Sequence, residues 1–354
     1  MLVNFPVCNT LRHSRKNASV SDWYEECIRR FPAEADEFGG DKPVNQSQPL
    51  VSVWIPTYQH GGFIGDCLDG VLMQITSFPI EIILGEDEST DGTREICIEY
   101  AKKHPDRIRL FLRSRARSTL VEAGVTRTFN GFWCWRSARG KYIAFCEGDD
   151  YWTDAQKLQR QVDLLESRPD VSLCCHRVIM GSDPKAESGK VYPGHPRRLI
   201  NTLEDVLAEN WIPTASIVLR REIVQDYPIW IRDLAFSDWP IQVLAAKLGS
   251  IGFLDAVMAF YRVHQGGKWS GLGSVQRLQD VLKFYFALRD QVPSRAWNRA
   301  ARPRVADLKM RLAAEFAALG DAKAARREAL EALRMHPKVA LSNPRRFMRS
   351  LNGR

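Results

Sequence analysis

The residues of this chain best suited to chemistry are carboxylates gathered in short polar turns. Glu86-Asp87-Glu88 follows the apolar run Ile80 to Leu84, and Glu147-Gly148-Asp149-Asp150 follows the run Lys141 to Cys146. Thr57 and Tyr58 close a third run, Leu50 to Ile55 with Pro56. Carboxylates brought together repel one another unless a cation lies between them. A hard divalent ion answers that need, because Mg²⁺ and Mn²⁺ favour carboxylate oxygens together with phosphate oxygens. Taken alone, Glu147-Gly148-Asp149-Asp150 also reads as an acidic surface turn with an aspartate capping the next helix.

The elements that must position these turns alternate in type. Leu50 to Ile55, Ile80 to Leu84, Arg107 to Leu112 and Lys141 to Cys146 read as strands. Between them Ile64, Leu68, Val71, Leu72 and Ile75 mark one helix face, and Ile96, Cys97, Tyr100 and Ala101 another. Ser89-Thr90-Asp91-Gly92-Thr93 is turn and helix-start chemistry. Leu158, Val162 and Leu165 define a helix ending near Pro169. Such alternation predicts an α/β fold, a mostly parallel sheet flanked by helices, with ligands at the carboxyl ends of its strands. The acidic turns stand at those ends.

Further along, Val171 to Met180 and Ala215 to Arg220 read as strands, and Pro240 to Leu248 as a helix. Beyond about Val275 the pattern is all helical. Leu308, Leu312, Phe316 and Leu319 share a face, Gly320 breaks it, and Ala322, Ala325, Ala329, Leu330 and Leu333 continue. This is the pattern of one tetratricopeptide-like unit, or of a helical tail packed on the rest of the chain. Four segments follow: a leader over 1–47 with one amphipathic helix (Val20, Tyr24, Cys27, Ile28, Phe31) and a linker; 48–170; 171–274; and the helical extension 275–354.

Composition sets the class. With 45% apolar and 26% charged residues, the 354-residue chain reads as globular. No run nears the roughly 20 apolar residues of a membrane span, and Met1 to Lys16 lacks a secretory core. The eight cysteines show no repeated Cys-x-x-Cys spacing. These features predict a cytoplasmic protein with reduced, structural cysteines. The net charge of +8 is concentrated beyond Arg277, ending in Arg345-Arg346, Arg349 and Arg354. It fits an acidic membrane surface or anionic acceptor as well as a solvated surface, and no nucleic-acid module accompanies it.

Three segments in order carry a resemblance. They are Val51-Ser52-Val53-Trp54-Ile55-Pro56-Thr57-Tyr58, Gly85-Glu86-Asp87-Glu88-Ser89-Thr90-Asp91-Gly92-Thr93, and Gly140 through Cys146-Glu147-Gly148-Asp149-Asp150-Tyr151-Trp152. Together they resemble glycosyltransferase family 2, an inverting family with the GT-A fold, and its bacterial branch with Cys-Glu-Gly-Asp-Asp-Tyr-Trp. The likeness covers roughly residues 50 to 270.

The resemblance implies a donor half over 48–170 and an acceptor half over 171–274. It implies a nucleotide-binding set of Pro56, Thr57, Tyr58, Asp87, Glu147 and Gly148, with a UDP-sugar as donor. Asp149 would hold Mn²⁺ or Mg²⁺ on the diphosphate, with His264 as a further ligand. Asp150 would orient the loop. Phe236-Ser237-Asp238-Trp239-Pro240 resembles the segment with the catalytic base, which makes Asp238 the base; Ser237-Asp238 before Pro240 is also ordinary helix-start chemistry. Tyr261-Arg262-Val263-His264-Gln265-Gly266-Gly267-Lys268-Trp269-Ser270 resembles a loop that closes over the diphosphate, with Arg262, Lys268 and Trp269 in it. Trp152, Thr214 and Trp239 would border the acceptor: a glycan, a lipid-linked saccharide or a protein side chain. Gln59 and Glu86 depart from the residues usual in the family. His176, in an apolar strand, reads as a core residue.

Two rival functions differ in kind. A sugar nucleotidyltransferase would carry a basic, glycine-rich loop after the first strand, whereas Gln59-His60-Gly61-Gly62-Phe63 has no Lys or Arg. A non-catalytic nucleotide-sugar-binding scaffold would bind a nucleotide without turnover.

Overall fold

The computed structural model describes residues 29, 36–40, 48–122, 125–128, 130–182, 189–225, 228, 230–231, 234–267, 269, 271–342, 347–348 and 350–351. The residues that mark the expected leader helix, Val20, Tyr24, Cys27, Ile28 and Phe31, lie outside these residues, as do Lys268 and the arginines at 345, 346, 349 and 354.

The first half builds a parallel layer. β1 (Val51–Thr57), α1 (Ile64–Leu72), β2 (Ile80–Glu86), α2 (Thr93–Lys103), β3 (Ile108–Leu112), α3 (Asn130–Ser137), β4 (Tyr142–Phe145) and α4 (Lys157–Ser167) follow in order. β1 lies between β2 and β4, and β3 adds beyond β2, all parallel. Alternation along each strand feeds two cores. Val51, Val53, Ile55, Ile82 and Leu84 face α1, α2 and α4 through Leu68, Cys97 and Val162. Trp54, Ile83 and Phe145 face the other way, toward Trp133, Trp135 and the second half of the chain. Ile75, expected on the α1 face, lies past the end of that helix and is 62% exposed.

The second half is mixed. β5 (Val171–Gly181), β6 (Val218–Arg220), α5 (Asp238–Leu248) and β7 (Ser250–Arg262) complete the sheet, in the order β7-β5-β6-β4-β1-β2-β3. β6 runs antiparallel to both its neighbours, and β7 runs parallel to β5. The sequence reading names no strand over 250–262. The reason is visible in the register, which shifts between Leu254 and Ala259 and breaks the alternation that marks a strand. β7 also pairs with Tyr151–Trp152, just after the acidic turn.

The C-terminal helices α6 (Ser274–Leu288), α7 (Arg302–Ala318) and α8 (Ala322–Met335) share a core with the sheet. Trp239 on α5 packs against Phe284 and Tyr285 of α6 at 4.8 and 5.4 Å between ring centroids. The Tyr285 hydroxyl donates to the Leu207 carbonyl at 2.6 Å. Gly320, at φ 80°, breaks the α7–α8 turn where the sequence places the break. Among the described residues no helix is long and apolar enough to cross a membrane. The six described cysteines are buried and unpaired. His176 is fully buried, with Nδ1 2.7 Å from the Arg177 carbonyl and Nε2 without a partner.

Beneath the acidic turn lies a buried amine. Lys157 Nζ donates to Gln161 Oε1 at 2.8 Å and sits 3.9 Å from the Trp152 ring centre. Burial pulls its pKa from 10.5 down to about 7. Between those values the unfolded chain binds a proton that the native state lacks, so this group makes stability rise with pH from about 7 to 10.5. Lys157→Met is expected to flatten that rise and to raise the urea midpoint at about pH 6. Urea denaturation across pH checks this, and an unchanged slope would refute it.

Candidate active site

The turns after β1 and β2 are stitched into one rim. Gln59, at φ 55°, sits in the left-handed region. Its N–H donates to Ser89 Oγ at 2.9 Å and its side chain exchanges two hydrogen bonds with Thr90. The N–H groups of His60 and Gly61 donate to Thr93 Oγ1 and Asp91 Oδ2, each at 2.8 Å. A Cβ at Gly61 would lie 2.4 Å from the Asp91 carbonyl oxygen, so this close approach requires glycine. The Ser89–Thr93 segment therefore both starts α2 and fixes the loop after β1.

Beside that rim Thr57, Tyr58, Asp87 and Arg115 come together. The Asp87 N–H donates to the Thr57 carbonyl at 3.1 Å, and the buried Asp87 carboxylate accepts from Arg115. The Arg115 guanidinium lies 3.6 Å from the centre of the Tyr58 ring, a cation–π contact. Glu86 is buried and holds the turn from below, accepting from the Ser89 N–H at 2.6 Å and from Arg94. Arg115 carries no motif in the sequence, and only the fold places it beside Tyr58.

The acidic turn closes onto the same rim. The Gly148 N–H donates to the Pro56 carbonyl at 3.2 Å, and the Asp150 N–H to the Glu147 carbonyl at 2.9 Å. A Cβ at Gly148 would meet Thr57 Oγ1 at 2.5 Å and His60 Nδ1 at 2.8 Å. The pairing of Tyr151–Trp152 with β7 brings the end of that strand to the turn. There the Arg262 N–H donates to Asp150 Oδ1 at 2.8 Å. The Arg262 guanidinium donates to the Asp149 carbonyl at 2.7 Å and to Asp66 Oδ2 at 2.8 Å, fastening the turn to α1. Two residues later, His264 Nε2 stands 3.0 Å from Asp149 Oδ2. His60 Nε2 approaches the same oxygen at 3.9 Å.

The local electrostatics favour a cation. Carboxylate oxygens of Glu147, Asp149 and Asp150 lie within 4.8 Å of one another. Asp150 Oδ2 is sealed from solvent and accepts no hydrogen bond among the described residues. Burial, then Asp149 and Glu147, push the Asp150 carboxyl well above the usual range. Burial lowers the His60 imidazole against the opposing pull of Asp149. An orphaned buried oxygen among three carboxylates fits a divalent ion.

The acceptor-side residues divide. Asp238 is the first residue of α5, and Thr214 Oγ1 donates to its Oδ2 at 3.4 Å. Burial raises its carboxyl, opposed by the backbone N–H groups of Trp239 and Asp238 and by Thr214. The Tyr261 hydroxyl is raised by burial and then by Asp150, Glu147, Asp238 and Asp149. Trp152 and Trp239 instead turn inward: both rings are buried, and their indole N–H groups donate to the Ala215 and Val206 carbonyls at 3.1 and 2.9 Å. Each is a large apolar surface with one donor satisfied by backbone, which is the core use of tryptophan. Trp269 remains 38% exposed, edge-on to Phe236 at 5.4 Å.

Comparison with known proteins bears on the family and the fold. Residues 52–227 match the family model described as glycosyl transferase family 2. An uncharacterized protein of Mycobacterium bovis is 37% identical over 214 residues, 60% of this chain and 58% of its own length, so the match spans well under two thirds of that relative. Among solved structures, residues 1–349 of S. aureus TarS with UDP-GlcNAc superpose with a TM-score of 0.54 at 13% identity, covering 86% of this chain and 90% of that one. The mannosyltransferase PcManGT from Pyrobaculum calidifontis, with GDP-Man and Mn²⁺, gives 0.52 at 18% identity over 94% and 92%. At these identities the structural likeness concerns the fold.

Proposed function

From the GT-A fold of this chain and the match of residues 52–227 to the glycosyl transferase family 2 model, we propose that it transfers a sugar from a nucleoside diphosphate donor to an acceptor hydroxyl, with inversion. The observation that carries this reading is the acidic turn itself, with carboxylate oxygens of Glu147, Asp149 and Asp150 within 4.8 Å of one another and His264 Nε2 3.0 Å from Asp149 Oδ2, inside the segment that matches the family model. A base and a charge-balancing site belong on opposite sides of the carbon being displaced.

Each residue then has a task. Tyr58, Asp87 and Arg115 line the pocket for the base, and Pro56, Thr57, Glu147 and Gly148 form its floor toward the ribose. Asp149 and His264 would hold a divalent ion, with Arg262 fixing the loop that presents them. Held there, such an ion would supply positive charge against that growing on the leaving diphosphate. Asp238 takes the proton of the attacking hydroxyl, its affinity for that proton increased by burial. Thr214 steers its carboxylate, and Trp269 with Phe236 offers an apolar ledge for the acceptor. The twin glycines Gly266 and Gly267 permit the segment after His264 to close and exclude water. A uridine donor is the first reading, as in the TarS complex; a guanosine donor, as in the PcManGT complex, is the second.

The test is thermal denaturation with UDP, GDP and their sugars, with and without Mn²⁺. A ligand that binds only the native state raises Tm, so one base is expected to stabilise the chain in a metal-dependent manner. No shift with any nucleotide would remove the donor site.

A further inference from the structure

We propose that His60 is a direct protein ligand of the divalent ion, completing with Asp149 and His264 a two-imidazole, one-carboxylate site; this rests on the donor reading above. Nothing in the motif pattern marks His60. Its segment is notable in sequence only for lacking Lys and Arg.

The geometry assigns the role. Two imidazole nitrogens approach one carboxylate oxygen, His264 Nε2 at 3.0 Å and His60 Nε2 at 3.9 Å from Asp149 Oδ2. The two rings meet edge to face, at 83° with centroids 6.3 Å apart, so they converge without stacking. A distance of 3.9 Å is too long for a hydrogen bond. It is within about 1 Å of the roughly 3 Å that separates neighbouring ligands when each bond to an ion is near 2.1 Å. An ion that draws these three atoms together closes that gap.

The orientation of His60 is also prepared. Its Nδ1 lies 3.2 Å from Thr57 Oγ1. With Nδ1–H donating to that hydroxyl oxygen, Nε2 keeps its lone pair toward Asp149, the arrangement that outer partners impose on metal-bound imidazoles. The backbone is held on both sides. The His60 N–H donates to Thr93, and its carbonyl accepts from the Phe63 and Ile64 N–H groups, both at 2.8 Å. Gly148 completes the fit, since any side chain there would strike Thr57 Oγ1 and His60 Nδ1. Imidazole nitrogens suit transition metals better than Mg²⁺, so this donor set favours Mn²⁺, or Co²⁺ in its place, over Mg²⁺.

The experiment is Mn²⁺ binding to the full chain in the presence of UDP and, in parallel, GDP. Free Mn²⁺ is followed by EPR, and directly bound histidine nitrogens are counted by electron spin-echo modulation. Two nitrogens are expected in the native protein. His60→Ala and His264→Ala should each leave one and weaken Mn²⁺ at least about tenfold. His60→Gln, which preserves bulk and polarity, should also leave one nitrogen; circular dichroism confirms its fold, so the result does not depend on the alanine variant. The preference for Mn²⁺ over Mg²⁺ should fall in both His60 variants. A native signal of one nitrogen, lost in His264→Ala and intact in His60→Gln with unchanged affinity, overturns the role of His60 and leaves the donor reading standing. Absence of Mn²⁺ binding with either nucleotide overturns both.

Discussion

Asp238→Asn is expected to lower kcat by about 10²- to 10⁴-fold, the range for removing a general base. Nucleotide-dependent stabilisation should remain close to that of the native protein. Asparagine has the same shape and still offers an oxygen to Thr214 Oγ1, which now donates at 3.4 Å, so α5 should stay in place. What it lacks is the ability to take the acceptor proton. The pH dependence gives a second reading. Burial raises the Asp238 carboxyl above its usual 3.8, and the base works only when deprotonated. Activity should therefore fall as pH drops through that raised value, and the limb should be absent from the residual rate of the variant. Transfer assays at saturating donor across pH measure both. A fully active Asn variant would show that another group is the base.

Asp149→Ala should have a different signature. It removes the oxygen toward which His264 and His60 point, at 3.0 and 3.9 Å. Metal-dependent stabilisation by the nucleotide is expected to vanish, and kcat/KM to fall by roughly 10² to 10³ or more, as when charge stabilisation of a leaving group is lost. The loss should appear in donor binding as well as in turnover, whereas Asp238→Asn should affect turnover alone. Calorimetric titration of Mn²⁺ with the stabilising nucleotide checks this. Retained metal-dependent binding in the alanine variant would move the ion to Glu147 and Asp150. The fold should tolerate the change, since the Asp149 contact that fastens the loop is its carbonyl, held by Arg262 at 2.7 Å.

Much of this arrangement is local and therefore legible in the chain. Leu50 to Ile55 is an apolar run because both sides of β1 are buried, one against α1 and the other against Trp135. The turns at Asp87 and Glu147–Asp150 stand at strand ends, where a parallel sheet presents ligands. Gly320 marks a break that the backbone takes at φ 80°. Residue type, period and turn chemistry act over a few neighbours, and such signals survive in one dimension.

The other part of the site is long-range. β7 is irregular, and its pairing with Tyr151–Trp152 is what carries His264 to Asp149. Trp152 and Trp239, which flank acidic motifs in the chain, turn into the core because large apolar rings gain more by burial than by lining a cleft. Arg115 reaches Tyr58, and His60 reaches the acidic turn, only when three strand ends meet at one edge. The sequence by itself determined β1 to β4 with the helices α1, α2 and α4, and which residues carry charge at the strand ends. Only the tertiary structure decided which of those side chains share a site, because packing joins residues whose separation along the chain leaves no periodic trace.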